Sequence, residues 1–101
     1  MKPAVFAPKA RRDIIEAINW IVTDNPIAAW AFHEAIEQAA RNLGEHARLG
    51  SERSDLVNPP FRIFPLTSFP YIIIYNPTRT PPVILRVLHG ARDLPEILEN
   101  L

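Results

Sequence analysis

The chain has 101 residues, 48% of them hydrophobic, with eleven basic and eleven acidic side chains and a formal net charge of zero. This length suits one small domain over 1–101, and the apolar share suits a packed core, not a disordered chain. With no cysteine, disulfides, zinc thiolates and cysteine nucleophiles are excluded, and the charge balance gives no general pull toward nucleic acid or an anionic membrane. The opening Met1-Lys2-Pro3-Ala4-Val5-Phe6 lacks the apolar core of a secretory signal. No run approaches the roughly 20 apolar residues of a membrane span, so a cytoplasmic location is expected. Only Lys2 and Lys9 are lysines; the other basic residues are arginines, whose planar fork suits carboxylate or phosphate.

Ala4-Val5-Phe6 reads as a first strand, ended by Pro8, which lacks the amide a ladder needs but suits the first turn of a helix. Ile14, Ile18, Ile21 and Val22 then fall on one face of a helix over 10–23, with Arg11, Arg12, Asp13, Glu16 and Asn19 on the other. Asn25 has the side chain of an N-cap, and Pro26 suits a first helical position. Phe32, Ile36, Ala39 and Leu43 repeat at helical spacing through a second helix over 26–45, and its alanines permit close approach of another element. The two helices form an αα-hairpin with a very short connection. The segment 44–60 reads as loop.

Three strands follow, over 61–66, 71–75 and 83–89. Pro65 places the first at an edge or a bulge. Tyr71-Ile72-Ile73-Ile74-Tyr75 is apolar on both faces and suits the centre of a sheet. Gly90 ends the last strand at a backbone turn open only to glycine, and a short helix is expected over 94–101. The order β-α-α-β-β-β predicts an α+β fold. Its helical hairpin packs on one face of a small, largely antiparallel sheet, with the first strand beside the meander.

Several segments carry a resemblance that runs along essentially the whole chain. Phe6-Ala7-Pro8-Lys9-Ala10-Arg11-Arg12-Asp13-Ile14 gives a strand end and an A-x-x-D helix start. Trp20-Ile21 with Asn25-Pro26-Ile27-Ala28-Ala29 gives the helix-to-helix passage. Leu49-Gly50 with Arg53, Arg62-Ile63-Phe64-Pro65, and Tyr71-Ile72-Ile73-Ile74-Tyr75 give the middle. Ile84-Leu85-Arg86-Val87-Leu88-His89-Gly90-Ala91-Arg92-Asp93 is the most specific piece. In this order they resemble the RelE/ParE toxin superfamily, and the His-Gly-Ala-Arg-Asp run resembles its ParE-like, plasmid-stabilisation branch.

The resemblance implies the toxin of a two-gene, type II toxin–antitoxin module. ParE-like members poison DNA gyrase; RelE-like members cleave messenger RNA on the ribosome. The resemblance further implies a ribbon-helix-helix, ParD-like antitoxin whose tail folds onto the toxin in an apolar groove between the hairpin and the sheet. Operator DNA would be bound only through that antitoxin, and no cofactor or metal is implied.

RNA cleavage needs a base for the 2′-hydroxyl, cations for the phosphorane and an acid for the leaving oxygen. The candidates are Arg62, Arg86, His89 and Tyr75. Against a nuclease stand Gly90, where an aromatic would be useful, and the lack of a lysine-rich surface. A non-enzymatic gyrase inhibitor is therefore the leading expectation, with ribosome-dependent cleavage as the alternative.

His89 is expected to bond a backbone carbonyl or Asp93, and Arg92-Asp93 to form a local ion pair. Arg86, set among apolar neighbours, needs a partner. His33 and Glu37, a helical turn apart, are expected on a solvated face, since two ligands do not make a metal site. Trp20 and Trp30 flank the helix turn. Packing between the helices is expected first, and an exposed aromatic patch for a partner second. Residues for target or antitoxin contact are Trp20, Trp30, Arg62, Arg86, His89 and Arg92.

Overall fold

A computed structural model of the chain describes residues 2–93. The elements are β1 (Val5–Phe6), α1 (Pro8–Asp24), α2 (Pro26–Glu45), β2 (Arg62–Pro65), β3 (Tyr71–Asn76) and β4 (Val83–His89), and the fold is α+β. The helix expected over 94–101 lies outside the described residues. α1 begins at Pro8, where the missing proline amide costs nothing. Asn25 both closes α1 and opens α2. Its amide donates to the Ile21 carbonyl at 2.9 Å, and its Oδ1 accepts from the Ala28 amide at 3.0 Å. The hairpin connection is thus a single residue whose side chain satisfies one of the open amides of the second helix.

The sheet order is β1-β4-β3-β2. β2, β3 and β4 form the antiparallel meander. β1 joins parallel to β4, pairing Val5 with Val83 and Phe6 with Ile84, so the sheet is mixed. β3 lies inside the sheet, as its two apolar faces require. β2 is an edge, which accommodates Pro65. The register slips at Ile74/Tyr75: Ile74 faces Arg86 while Tyr75 faces Ile84. The extra residue, Leu85, makes a bulge.

The hairpin covers one face of the sheet. Phe32, Ile36, Ala39, Ala40 and Leu43 of α2 and the small Ala10 and Ala17 of α1 pack against Tyr71, Ile73, Tyr75, Ile84 and Val87. Fully burying a side chain of the size of Phe32 or Ile73 contributes roughly 1.5–3 kcal/mol. The centre of this interface is closed by core side chains; at its margins a small, mostly apolar depression of about 180 Å³ remains between Ala35 and Ala39 of α2 and Phe64 and Leu66 at the β2 edge, and one of about 260 Å³ between α1 and Arg86 of β4. The opposite face is covered as well. Residues 46–60, read from sequence as loop, fold under the sheet, and Val57 with Leu56 and Phe61, which precedes β2 instead of opening it, seals Ile63, Ile72, Ile74 and Leu88 into a second, smaller core. Ser51 locks this segment to β2: the Ser51 amide donates to the Ile63 carbonyl at 2.8 Å and the Ile63 amide to the Ser51 carbonyl at 3.0 Å.

Candidate functional site

Arg62 and Tyr75 face each other across β2 and β3, and both grip the segment that follows α2. The Tyr75 side chain is fully buried. Its hydroxyl donates to the Ala47 carbonyl at 2.7 Å and accepts from the Gly50 amide at 2.8 Å. Burial pushes the Tyr75 phenol up from its ordinary pKa. Arg62 donates from Nη1 to the Gly50 carbonyl at 2.7 Å and from Nη2 to Glu52 at 2.9 Å. Gly50 is required by close approach: a Cβ there would lie 2.6 Å from the Tyr75 ring and 2.8 Å from the Ile63 carbonyl. The two side chains therefore clamp the 47–52 segment.

Arg86 has found its partner in Asp13 of α1, 73 positions earlier in the chain. Arg86 Nε donates to Asp13 Oδ2 at 2.8 Å and Nη2 to Oδ1 at 2.9 Å, a forked pair. The same Oδ2 accepts the Val87 amide at 3.0 Å, beyond the point where β1 has ended. Both side chains are mostly buried, at 17% and 11% exposure. Sequence reasoning placed Asp13 on the solvent face. The available signal was its spacing: Ala10, Asp13 and Ala17 form one stripe at three and four residues, and the two alanines are the buried positions of α1.

His89 stands at the end of β4 with its ring edge-on to Tyr71. Its Nδ1 accepts the Arg92 amide at 3.1 Å. Among the described residues the ring makes no bond to a carbonyl or to Asp93; instead Asp93 accepts from the main-chain amide of His89 at 3.1 Å. The tail turns back on this strand end, which brings the Arg92 amide to the ring. Arg92 and Asp93 form the expected ion pair at 3.0 Å. The Arg92 guanidinium bonded to it holds the Asp93 carboxyl below the usual carboxylate range. Gly90 is not constrained to glycine: its φ is not positive, and an added Cβ would meet only the Pro70 carbonyl at an ordinary 3.8 Å.

The structure thus joins Arg62 to Tyr75 and places the other candidates elsewhere. Arg86 is tied to α1 at the outer margin of β4, and His89 to the tail. Arg92 also lies over the Trp20 ring, 5.6 Å from its centroid.

The tryptophans are not packed between the helices. Trp20 is 65% and Trp30 69% exposed, because each sits beyond the stripe that meets the sheet. Trp20 borders the tail on one flank of α1. Trp30 belongs to a groove on the outward face of the hairpin, formed by two depressions of about 290 and 330 Å³ that share Ile18 and His33. Ile15, Val22 and Ile27 are also exposed there or beside it. Sequence reasoning missed this groove, although Ile15, off the core-facing period, was its signal. His33 stacks near Trp30, and its Nε2 lies 3.7 Å from Glu37 on a half-exposed face. No group of three or more metal-ligating side chains occurs among the described residues, and no helix there is long and apolar enough to cross a membrane. A larger hollow of about 440 Å³ lies between Lys2, Gly44, Ala47 and the turn at 77–82, and none of the candidate residues lines it.

A family model described as the ParE toxin of the type II toxin–antitoxin system, parDE, matches residues 4–94. Toxin RelE3 of Caulobacter vibrioides is 28% identical over 90 residues, 89% of this chain and 96% of that protein. The structure of a chromosomal ParDE toxin–antitoxin system from P. aeruginosa superimposes with a TM-score of 0.73 at 22% identity, covering 88% of this chain and 96% of that one. The shared fold includes the hairpin and the mixed sheet. The chain belongs to the ParE toxin family of type II toxin–antitoxin systems.

Proposed function

We propose that this toxin arrests growth by binding DNA gyrase, without catalysis, and that a co-encoded ribbon-helix-helix, ParD-like antitoxin neutralises it. The observation that carries the reading is the engagement of each nuclease candidate. The Tyr75 hydroxyl, on a buried side chain, donates its proton to Ala47 and accepts from Gly50. Arg62 bonds Gly50 and Glu52, Arg86 bonds Asp13, and His89 Nδ1 accepts from Arg92. General acid–base chemistry needs such groups within reach of one reacting phosphate, and here they serve separate structural bonds. The ParE family match supports the same branch.

The antitoxin docks on the outward groove of the hairpin, where Ile15 of α1 and Trp30 of α2 offer exposed apolar surface. The antitoxin, not this charge-neutral chain, contacts operator DNA. Arg86, His89 and Arg92 shape the β4 end and tail from which gyrase is contacted, with Trp20 beside them. A supercoiling assay with purified toxin tests the reading, alongside cleavage of messenger RNA on translating ribosomes. Loss of supercoiling with intact message is the expected result. Intact supercoiling at stoichiometric excess, with cut message, would overturn it.

A further inference from the structure

From Asp13 through Ala40 the sequence contains no lysine or arginine, while Asp13, Glu16, Asp24, Glu34 and Glu37 all carry carboxylates. Asp13 is neutralised by Arg86; Glu16, Asp24, Glu34 and Glu37 are exposed. The same stretch holds Ile15, Trp20, Val22, Ile27 and Trp30, most of the exposed large apolar side chains among the described residues. Apolar exposure and a run of carboxylates therefore coincide on the hairpin, bounded in sequence by Arg12 and Arg41.

The geometry within the groove is specific. On α2, Trp30, His33 and Glu37 line the groove; exposed Glu34, one turn after Trp30, lies on the same stripe as Glu37, which ends at Arg41 near the end of the helix. Its α1 wall is apolar along Ile15, Ile18 and Val22, and Arg11 is the cation on that wall, at the end nearest the start of α1. A helix lying between these walls would bury its apolar face on Ile18 and Trp30. Its flank toward α2 would run past Glu34 and Glu37.

We propose that the outward groove is selective for a basic amphipathic helix, one whose apolar stripe is bordered by lysine or arginine on the side facing α2. The inference rests on the reading of this groove as the antitoxin site and adds the chemistry of the segment it takes. A helix bordered by glutamate would meet like charges on α2, and complementary rim charges act chiefly on selectivity and encounter.

The test uses two designed 18-residue peptides with the same apolar stripe, one bordered by lysine and one by glutamate, titrated into the folded full chain. Binding is followed by Trp30 fluorescence in a Trp20→Phe background. At low salt the lysine peptide should bind about fivefold more tightly or better, as two exposed charge pairs permit. The difference should shrink at roughly 0.5 M salt. Glu34→Lys with Glu37→Lys, both on the exposed helix surface, should reverse the preference. Equal affinities, a tighter glutamate peptide, no binding of either, or a preference indifferent to the double substitution would each overturn the proposal. Capture of the co-encoded antitoxin separates the two levels. If Trp30→Ala abolishes capture while the double glutamate substitution leaves it unchanged, the site stands and the charge selectivity falls. If Trp30→Ala leaves capture intact, the site itself is wrong.

Discussion

Replacing Tyr75 by phenylalanine removes one oxygen and, on this account, costs stability, not chemistry. The ring keeps its place between Phe32-side core residues and Ile84. The Ala47 carbonyl loses a bond of 2.7 Å and the Gly50 amide one of 2.8 Å. Leaving a buried polar group unsatisfied costs about 1–3 kcal/mol. Two such groups at the edge of the core, partly reached by water after relaxation, give about 2–4 kcal/mol. That is a large share of the roughly 5–15 kcal/mol that holds a small protein folded. For a chain of this length it corresponds to a fall in Tm on the order of 10–20 °C. Urea unfolding followed by far-UV circular dichroism measures it. A loss under about 1 kcal/mol would refute the clamp. So would unchanged stability with loss of an RNA-cleaving activity, which would return Tyr75 to a catalytic role.

Other expectations follow from the same bonds. Asp13→Ala strands the Arg86 guanidinium and the Val87 amide and should cost about 3 kcal/mol in urea unfolding. Adding Arg86→Leu should recover part of that loss, and strictly additive losses would argue against the pair. Tyr75, with its folded pKa raised by burial, contributes stability that is complete below pH about 10 and is lost as pH rises toward the folded value. In an absorbance titration compared with Tyr75→Phe, the Tyr75 phenol should therefore ionise late, together with unfolding; its ionisation at the ordinary value in the folded chain would contradict its burial. Trp30→Ala should change stability by less than about 0.5 kcal/mol, yet weaken antitoxin binding about 30-fold or more in calorimetry, as expected for a central aromatic anchor.

The helices and the meander were legible because they follow period and punctuation. Asn25-Pro26 marked the hairpin turn, and Ile72 with Ile74 beside Tyr71 and Ile73 marked a strand buried on both faces. What escaped were features set by contacts distant in sequence. The cover over the second sheet face depends on Val57 and Leu56, isolated apolar residues in a segment with no period. Asp13 looked like a surface charge until β4, 73 positions on, supplied Arg86 and an open amide. The tryptophans were misplaced for the opposite reason. Aromatic bulk suggests burial, but Trp20 and Trp30 lie off the stripe fixed by Ala17, Ala29 and Phe32, and the alanines let the helices approach without them. At the tail, the residues of the His-Gly-Ala-Arg-Asp run were identified from sequence, but which atom of His89 bonds which neighbour was decided by how the chain turns after β4.

The central claim is that the toxin acts by occupancy. It is tested most directly by titrating the purified chain into DNA gyrase and reading supercoiling against the toxin-to-gyrase ratio. Inhibition should track toxin occupancy of gyrase, end when the antitoxin is added, and occur without any cut in messenger RNA. Undiminished supercoiling across that titration, with message cleaved by toxin far below stoichiometry, would contradict it.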